Sequence, residues 1–232
     1  MRTHMAKKVK ERELEADILD QEEGKEVSVE SFITDNRNLI LVVAGIIVLV
    51  LGGYSFYRYN QRAKNTEAQE EMFQAVYYFE QDSLEKALRG DGQYLGFEDI
   101  ADEYSGTDAA NLATYYLGLI YLKQGDLDTG VDYLKQFKTG ENMLSMAAYM
   151  ALGFAYEDLG DPSEAASYFE RAARTPGENS QTTPMMLMNA ARNYEAAGEP
   201  GKARDIYQKI KSEYPTSSEG IAIDKYLGRV AE

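Results

Sequence analysis

The sequence predicts an all-α protein: a single transmembrane helix followed by an α-solenoid of antiparallel helix pairs. Three observations carry this reading. Residues 39–57 form a run without any charge. Downstream, three segments superimpose, with glycine, tyrosine and large apolar side chains recurring in register at spacings of 35 and 38 residues. Each of those segments is split by a glycine that separates two helix-length halves.

Residues 1–37 come first. Lys7, Lys8 and Lys10 are followed by Glu11, Glu13, Glu15 and Asp17, a composition too polar to bury a core, so a largely disordered cytoplasmic tail is expected. A docking site for a cytoplasmic partner is the alternative reading. His4, the only histidine, stands in this tail just before Met5 and reads as solvated rather than as a ligand; starts at Met1 and Met5 are both open.

The anchor is placed at residues 38–58. Its core reads LILVVAGIIVLVLGGYSFY, 19 uncharged residues, which as a helix spans roughly 28 Å, one hydrocarbon core. Tyr54, Phe56, Tyr57 and Tyr59 with Arg58 and Arg62 supply the aromatic and basic residues that favour a headgroup layer. An acidic tail ahead of the run and bulky aromatics behind it argue against a cleaved signal peptide. The near flanks are balanced in charge, but the tail holds seven Lys and Arg residues. Because a long following domain translocates largely regardless of its charge, the tail is expected inside and the remainder outside.

The repeat domain is expected over 66–232: a partial repeat at 66–107, full repeats at 111–144, 146–179 and 184–217, and a capping helix at 218–230. Gly118, Gly153 and Ala191 share a column, as do Gly130, Ala165 and Ala203; small residues at both places let the two helices of a pair approach closely. Leu134, Phe169 and Tyr207 fill the space between them, and Tyr121, Tyr156 and Tyr194 are expected to pack against the neighbouring pair. Gly125, Gly160 and Gly198 end each first helix in a left-handed conformation. In Asp161-Pro162-Ser163-Glu164 the aspartate suits the cap, proline the first helical position and glutamate the third, and Glu199-Pro200 is expected to repeat the device. Upstream, FEDIADEYSGT from Phe97 parallels YQKIKSEYPTS from Tyr207. The partial copy therefore starts its first helix near 67–81, with an insertion around 83–93. Ile223, Tyr226, Leu227 and Val230 give the capping helix its apolar face.

These residues resemble the tetratricopeptide repeat, whose pattern is an aromatic, Leu-Gly, Tyr, Ala, Phe, Ala and Pro over about 34 residues. The middle copy fits most fully, with Tyr149, Leu152, Gly153, Tyr156, Ala165, Phe169, Ala172 and Pro176. The first departs at Thr114, Gly130 and Phe137, and the third has Ala190-Ala191 in place of Leu-Gly. An anchor behind a short tail and ahead of such an array also resembles, in layout, the ancillary subunit family of the Sec translocon. That resemblance implies a bacterial inner-membrane protein with its repeats in the periplasm, linking the translocon to envelope chaperones.

The tetratricopeptide resemblance implies that the first helices line an inner, concave face through the second, fifth, ninth and twelfth places of each copy. Those places hold Leu112, Tyr115, Leu119 and Leu122; Ala147, Met150, Phe154 and Glu157; Met185, Met188, Arg192 and Glu195. The candidate partner-binding groove is Tyr115, Leu119, Met150, Phe154, Met185, Met188 and Arg192. Methionines and aromatics suit adaptable contact with apolar peptide segments. The competing reading is that many of them only fill the interior. With Arg192 the one cation on this face, the lysine and asparagine set of carboxylate-binding relatives is missing.

Charge and chemistry narrow the function further. The chain carries a net −15, and residues 58–232 hold 17 basic against 29 acidic side chains, a sign opposed to nucleic acid and to anionic lipid. There is no cysteine, hence no disulfide, thiolate metal site or thiol nucleophile. Asp128-Thr129-Gly130 spells an aspartic protease triplet but occurs once, inside a repeat column, where that chemistry needs two. Asp126-x-Asp128 opens like a calcium loop, yet Gly130 and Phe137 replace ligands. Gly90-Asp91-Gly92 lacks a lysine and reads as a loop. No catalytic set, cofactor or metal site is expected. The chain reads as a membrane-tethered scaffold for polypeptide partners in protein export or envelope chaperone networks; coordination of cell-wall synthesis or division machinery is the alternative.

Overall fold

A computed structural model describes residues 32–34, 36–140, 143–175 and 181–230. Most of the expected disordered tail, and Pro176 of the repeat pattern, lie outside the described residues. Among the described residues the chain is helical and has no strand. It divides into two compact units, Met1–Tyr59 and Asn60–Glu232.

The first helix, α1, runs Arg37–Glu80. One stretch of it is long and apolar enough to cross a membrane, and none of that stretch is buried in the protein. The sequence suggests separate helices for 38–58 and from about 67; one helix instead covers both. Between Gly53 and Glu80 there is no glycine or proline, and Gln61, Arg62, Ala63, Lys64, Glu67 and Ala68 are good helix formers, so nothing stops propagation. The later part of α1 buries Ala68, Met72 and Ala75.

Two short helices follow, α2 (Leu84–Arg89) and α3 (Phe97–Glu103). The insertion is thus partly helical, and its turn closes tightly: a Cβ on Gly90 or Gly96 would collide with the carbonyl oxygens of Tyr94 or Leu88. Asp91 holds this loop by accepting from the Tyr78 hydroxyl (2.6 Å) and from the Gln93 and Tyr94 amides (2.9 Å each).

Three helix pairs then stack: α4 (Asp108–Gln124) with α5 (Leu127–Gln136), α6 (Met143–Asp158) with α7 (Pro162–Arg174), and α8 (Thr182–Ala196) with α9 (Pro200–Glu213). The last helix, α10 (Ser218–Arg229), packs on α8 and α9. Each pair turns at a left-handed glycine, with φ of 84° at Gly125 and 76° at Gly160 and Gly198. Asp126 and Asp161 cap the second helices, accepting from the amides of Thr129 and Glu164. Glu199 does not repeat that cap. Its longer side chain pairs instead with Lys202 at 2.5 Å, and only the proline half of the device is shared.

The small-residue columns set the spacing within a pair. A Cβ on Gly118 would meet Leu134 Cγ at 2.6 Å, one on Gly130 would meet Leu122 at 2.6 Å, and one on Gly153 would meet the Phe169 ring at 2.8 Å. The core is a succession of buried clusters, each shared between neighbours: the later part of α1 with α2, α3 and α4; α4 and α5 with α6 and α7; α7 with α8, α9 and α10. Every pair therefore covers the apolar face its neighbour exposes, as in other repeat arrays.

The tyrosine column packs on neighbouring elements as expected, with Tyr194 buried against Ala165, Phe169 and Ala172 of the preceding pair, and it also stacks within its own pairs. Tyr121 stacks on Tyr133 of its own pair (5.4 Å between centroids, 3° between planes), and Tyr156 on Tyr168 likewise (5.4 Å, 7°). Both also reach the preceding element: the Tyr121 hydroxyl donates to Glu98 at 2.9 Å, and Lys135 lies over the Tyr156 ring, 5.1 Å from its centre. Burial first, then the Glu98 carboxylate, pushes the Tyr121 hydroxyl up to about 12.

Candidate functional site

The seven groove residues fall on the first helices α4, α6 and α8 but reach very different depths. Tyr115 and Met188 are buried, 8% and 7% exposed, and belong to core clusters; Tyr115 sits against Phe137, with ring centres 5.5 Å apart. Leu119 and Met150 are half-buried and lean on the same clusters. Phe154, Met185 and Arg192 are exposed. Filling the interior is thus the role of Tyr115 and Met188, and surface remains at the other five.

Phe154 and Arg192 line one cleft of about 410 Å³ with Glu157, Asn189, Asn193 and Ala196. The Phe154 ring stands edge-on to Phe169 (5.0 Å, 78°), which fixes its position while leaving 45% of the residue in water. Asn193 Nδ2 donates to Glu157 Oε1 (2.6 Å) and to the Asn189 carbonyl (3.0 Å), tying α6 to α8 beneath the cleft. An apolar plate thus lies beside a carboxylate and a guanidinium on a braced floor. The asparagine brace goes unseen in the sequence because position 193 falls outside the four inner-face places of the repeat.

Glu195, an inner-face place by spacing, is engaged elsewhere. It accepts from the Tyr207 hydroxyl and from Arg229 Nη2 (2.8 Å), fastening α10 to α8 and α9. Burial acts to raise its carboxyl, but the Arg229 and Tyr207 donors outweigh burial and hold it below the usual carboxylate range. Arg204 reinforces this end by donating to the Val230 carbonyl (Nε, 2.8 Å).

A larger cleft of about 630 Å³ lies between α3, α4 and α5, bordered by Glu98, Asp102, Asp108, Asn111 and Lys138. Its rim is polar and presents no exposed aromatic, so it offers a peptide less to hold than the Phe154 surface does. Two residues of the single aspartic triplet are spent structurally: the Thr129 amide donates to the Asp126 cap of α5, and Gly130 packs on Leu122.

Stacked helix pairs with a partly open aromatic and methionine surface define a helical-repeat interaction module. The sequence matches the tetratricopeptide repeat-like domain over residues 30–222, and the chain belongs to that family. Such repeats generally mediate protein–protein interaction, and the fold is typically a non-catalytic scaffold. Solved structures of nearly identical TPR-like repeats from Podosopora anserina, assigned to a kinesin light chain, are similar in fold. A single-substitution variant gives a TM-score of 0.51 at 16% identity, covering 72% of this chain and 85% of that one. Its parent gives 0.52 at 16%, covering 72% and 86%. No curated protein matches the sequence.

Proposed function

We propose that this protein is a membrane-tethered scaffold that holds polypeptide segments against the exposed face of its first helices, in bacterial protein export or envelope chaperone work. Residues 38–58 are the anchor, the preceding tail is cytoplasmic, and the array over 66–232 is periplasmic. The observation that carries the reading is the surface of Phe154, Met185 and half-buried Met150 on a braced repeat scaffold. An exposed aromatic fixed against a second ring loses little entropy on binding, and methionine adapts to varied apolar side chains. The uncharged run and its aromatic and basic flank support tethering. The order of tail, anchor and repeats, similar to the ancillary Sec translocon subunits, supports translocon components and exported chains as partners.

The test is photo-crosslinking from positions 154 and 185 in intact cells, with position 163 on α7 as reference. Crosslinks to translocon subunits, chaperones or exported chains from 154 and 185 but not from 163 are expected. Equal crosslinking from all three positions, or capture of cell-wall synthesis proteins instead, overturns the reading.

A further inference from the structure

Two aromatic side chains on α1 lie outside the groove just described. Phe73 is 76% exposed and Tyr77 48%, one helical turn apart. Phe73 borders a cleft of about 380 Å³ between α1 and α4, with Met72, Val76, Ala109, Leu112 and Asp108. The cleft is built rather than incidental. Asn65 Oδ1 on α1 accepts from the Ala109 amide of α4 at 2.9 Å, and Ala68, Met72 and Ala75 are buried in a cluster with Phe97, Ala109 and Ala113. The two helices are thus locked below an apolar surface that stays open.

Charge selects the occupant. Glu70, Phe73, Tyr77 and Glu80 follow one another at spacings of three, four and three, so they form one stripe with carboxylates at both ends of the aromatic pair. All four are exposed, and Asp108 adds a carboxylate at the cleft itself. Residues 67–108 hold 12 acidic side chains and two basic ones. Of the two, Arg89 is paired with Glu85 and Lys86 lies over the Tyr78 ring, 5.5 Å from its centre. An anionic lipid surface is repelled by such a field. A cationic helix is attracted, and its apolar side chains at every third or fourth place match a trough between two helices.

The geometry points to the α1–α4 cleft as a docking site for a cationic amphipathic helix of a partner protein, with Phe73 as apolar anchor and Glu70, Glu80 and Asp108 as its charge frame. This site shares no residue with the Phe154 groove and stands or falls separately from it.

The test uses the full chain in nanodiscs of zwitterionic phosphatidylcholine, and a fluorescent peptide of leucine and lysine patterned as an amphipathic helix. Anisotropy against empty nanodiscs reads the affinity. Binding is expected to weaken about tenfold with Phe73→Ser and severalfold with Glu70→Gln plus Glu80→Gln. It should fall steeply between roughly 0.05 and 0.3 M salt, and survive Phe73→Leu and Phe154→Ser. A leucine–lysine peptide shuffled to destroy its apolar face, and a leucine–glutamate peptide, should bind poorly. Because Phe73 is exposed, its variants should keep the wild-type helical content, with Tyr77→Ser as the second probe of the same surface. Equal binding of the shuffled peptide, indifference to both Phe73→Ser and Tyr77→Ser, or loss of a self-association in Phe73→Ser would overturn the proposal, the last by assigning the cleft to a second copy.

Discussion

Replacing Gly153 by alanine tests whether the glycine column sets the distance between paired helices. Alanine is the better helix former by about 1 kcal/mol, so propensity alone predicts stabilisation. The added Cβ, however, would sit 2.8 to 2.9 Å from three atoms of the Phe169 ring. Ordinary carbon contacts lie at about 3.5 Å or more, so the ring must retreat by about 0.7 Å. Phe169 is fully buried, with Phe154 edge-on at 5.0 Å, and has little room to do so. Overpacking of this kind costs about 1–3 kcal/mol, and after the propensity gain we expect a net destabilisation of up to about 2 kcal/mol. For an array of this size that lowers Tm by up to about 4–8 °C, measured by circular dichroism on the full chain in detergent. Gly201 of α9 is the control: its Cβ would meet nothing within 4 Å, and Gly201→Ala should raise Tm by about 2–4 °C. A Gly153→Ala protein as stable as Gly201→Ala would refute close packing as the reason for the column.

Asp161→Ala removes the cap on the Glu164 amide and should cost about 1 kcal/mol in the same assay, whereas Glu199→Ala, which removes a partly exposed ion pair and no cap, should cost less than half of that. Asp91 makes the insertion acid-sensitive. The Tyr78 hydroxyl first, then the Tyr94 and Gln93 amides, lowers its carboxyl from 3.8 to about 2. A carboxyl depressed in the folded state stabilises above its unfolded value and loses that contribution as pH falls through the folded one. Protection of the Gln93 and Tyr94 amides from hydrogen exchange should therefore fall between about pH 4 and 2, and Asp91→Asn should abolish the dependence. Glu195→Gln leaves Arg229 without its charge partner and should loosen α10 selectively, read as faster exchange in α10 with α4–α7 unchanged.

The repeat columns were legible because each encodes a contact: a small residue and the large residue it faces lie a fixed distance apart in every copy, and the structure joins Gly118 to Leu134 and Gly153 to Phe169. Depth was harder to read. Spacing places Tyr115 and Phe154 at equivalent places of their helices, but Phe137 and the next pair cover the first while the second, edge-on to Phe169, stays exposed. The tyrosine stacks were written in the sequence as Tyr121 with Tyr133 and Tyr156 with Tyr168, both twelve apart. A column alone does not say whether its partner is in the same pair or the next. Glu195 reads as a groove residue until Tyr207 and Arg229, which are 12 and 34 positions away, fold onto it. The continuity of α1 could have been inferred from the lack of any breaker between Gly53 and Glu80, a signal hidden by the change from apolar to charged composition.

Tethering with the array outside the cytoplasm is tested most directly by adding protease to intact spheroplasts and following a C-terminal epitope. The proposed topology predicts that the epitope is lost from intact spheroplasts while a cytoplasmic marker survives. An epitope protected until the membrane is lysed would place the array in the cytoplasm, contradicting both the topology and the envelope partners.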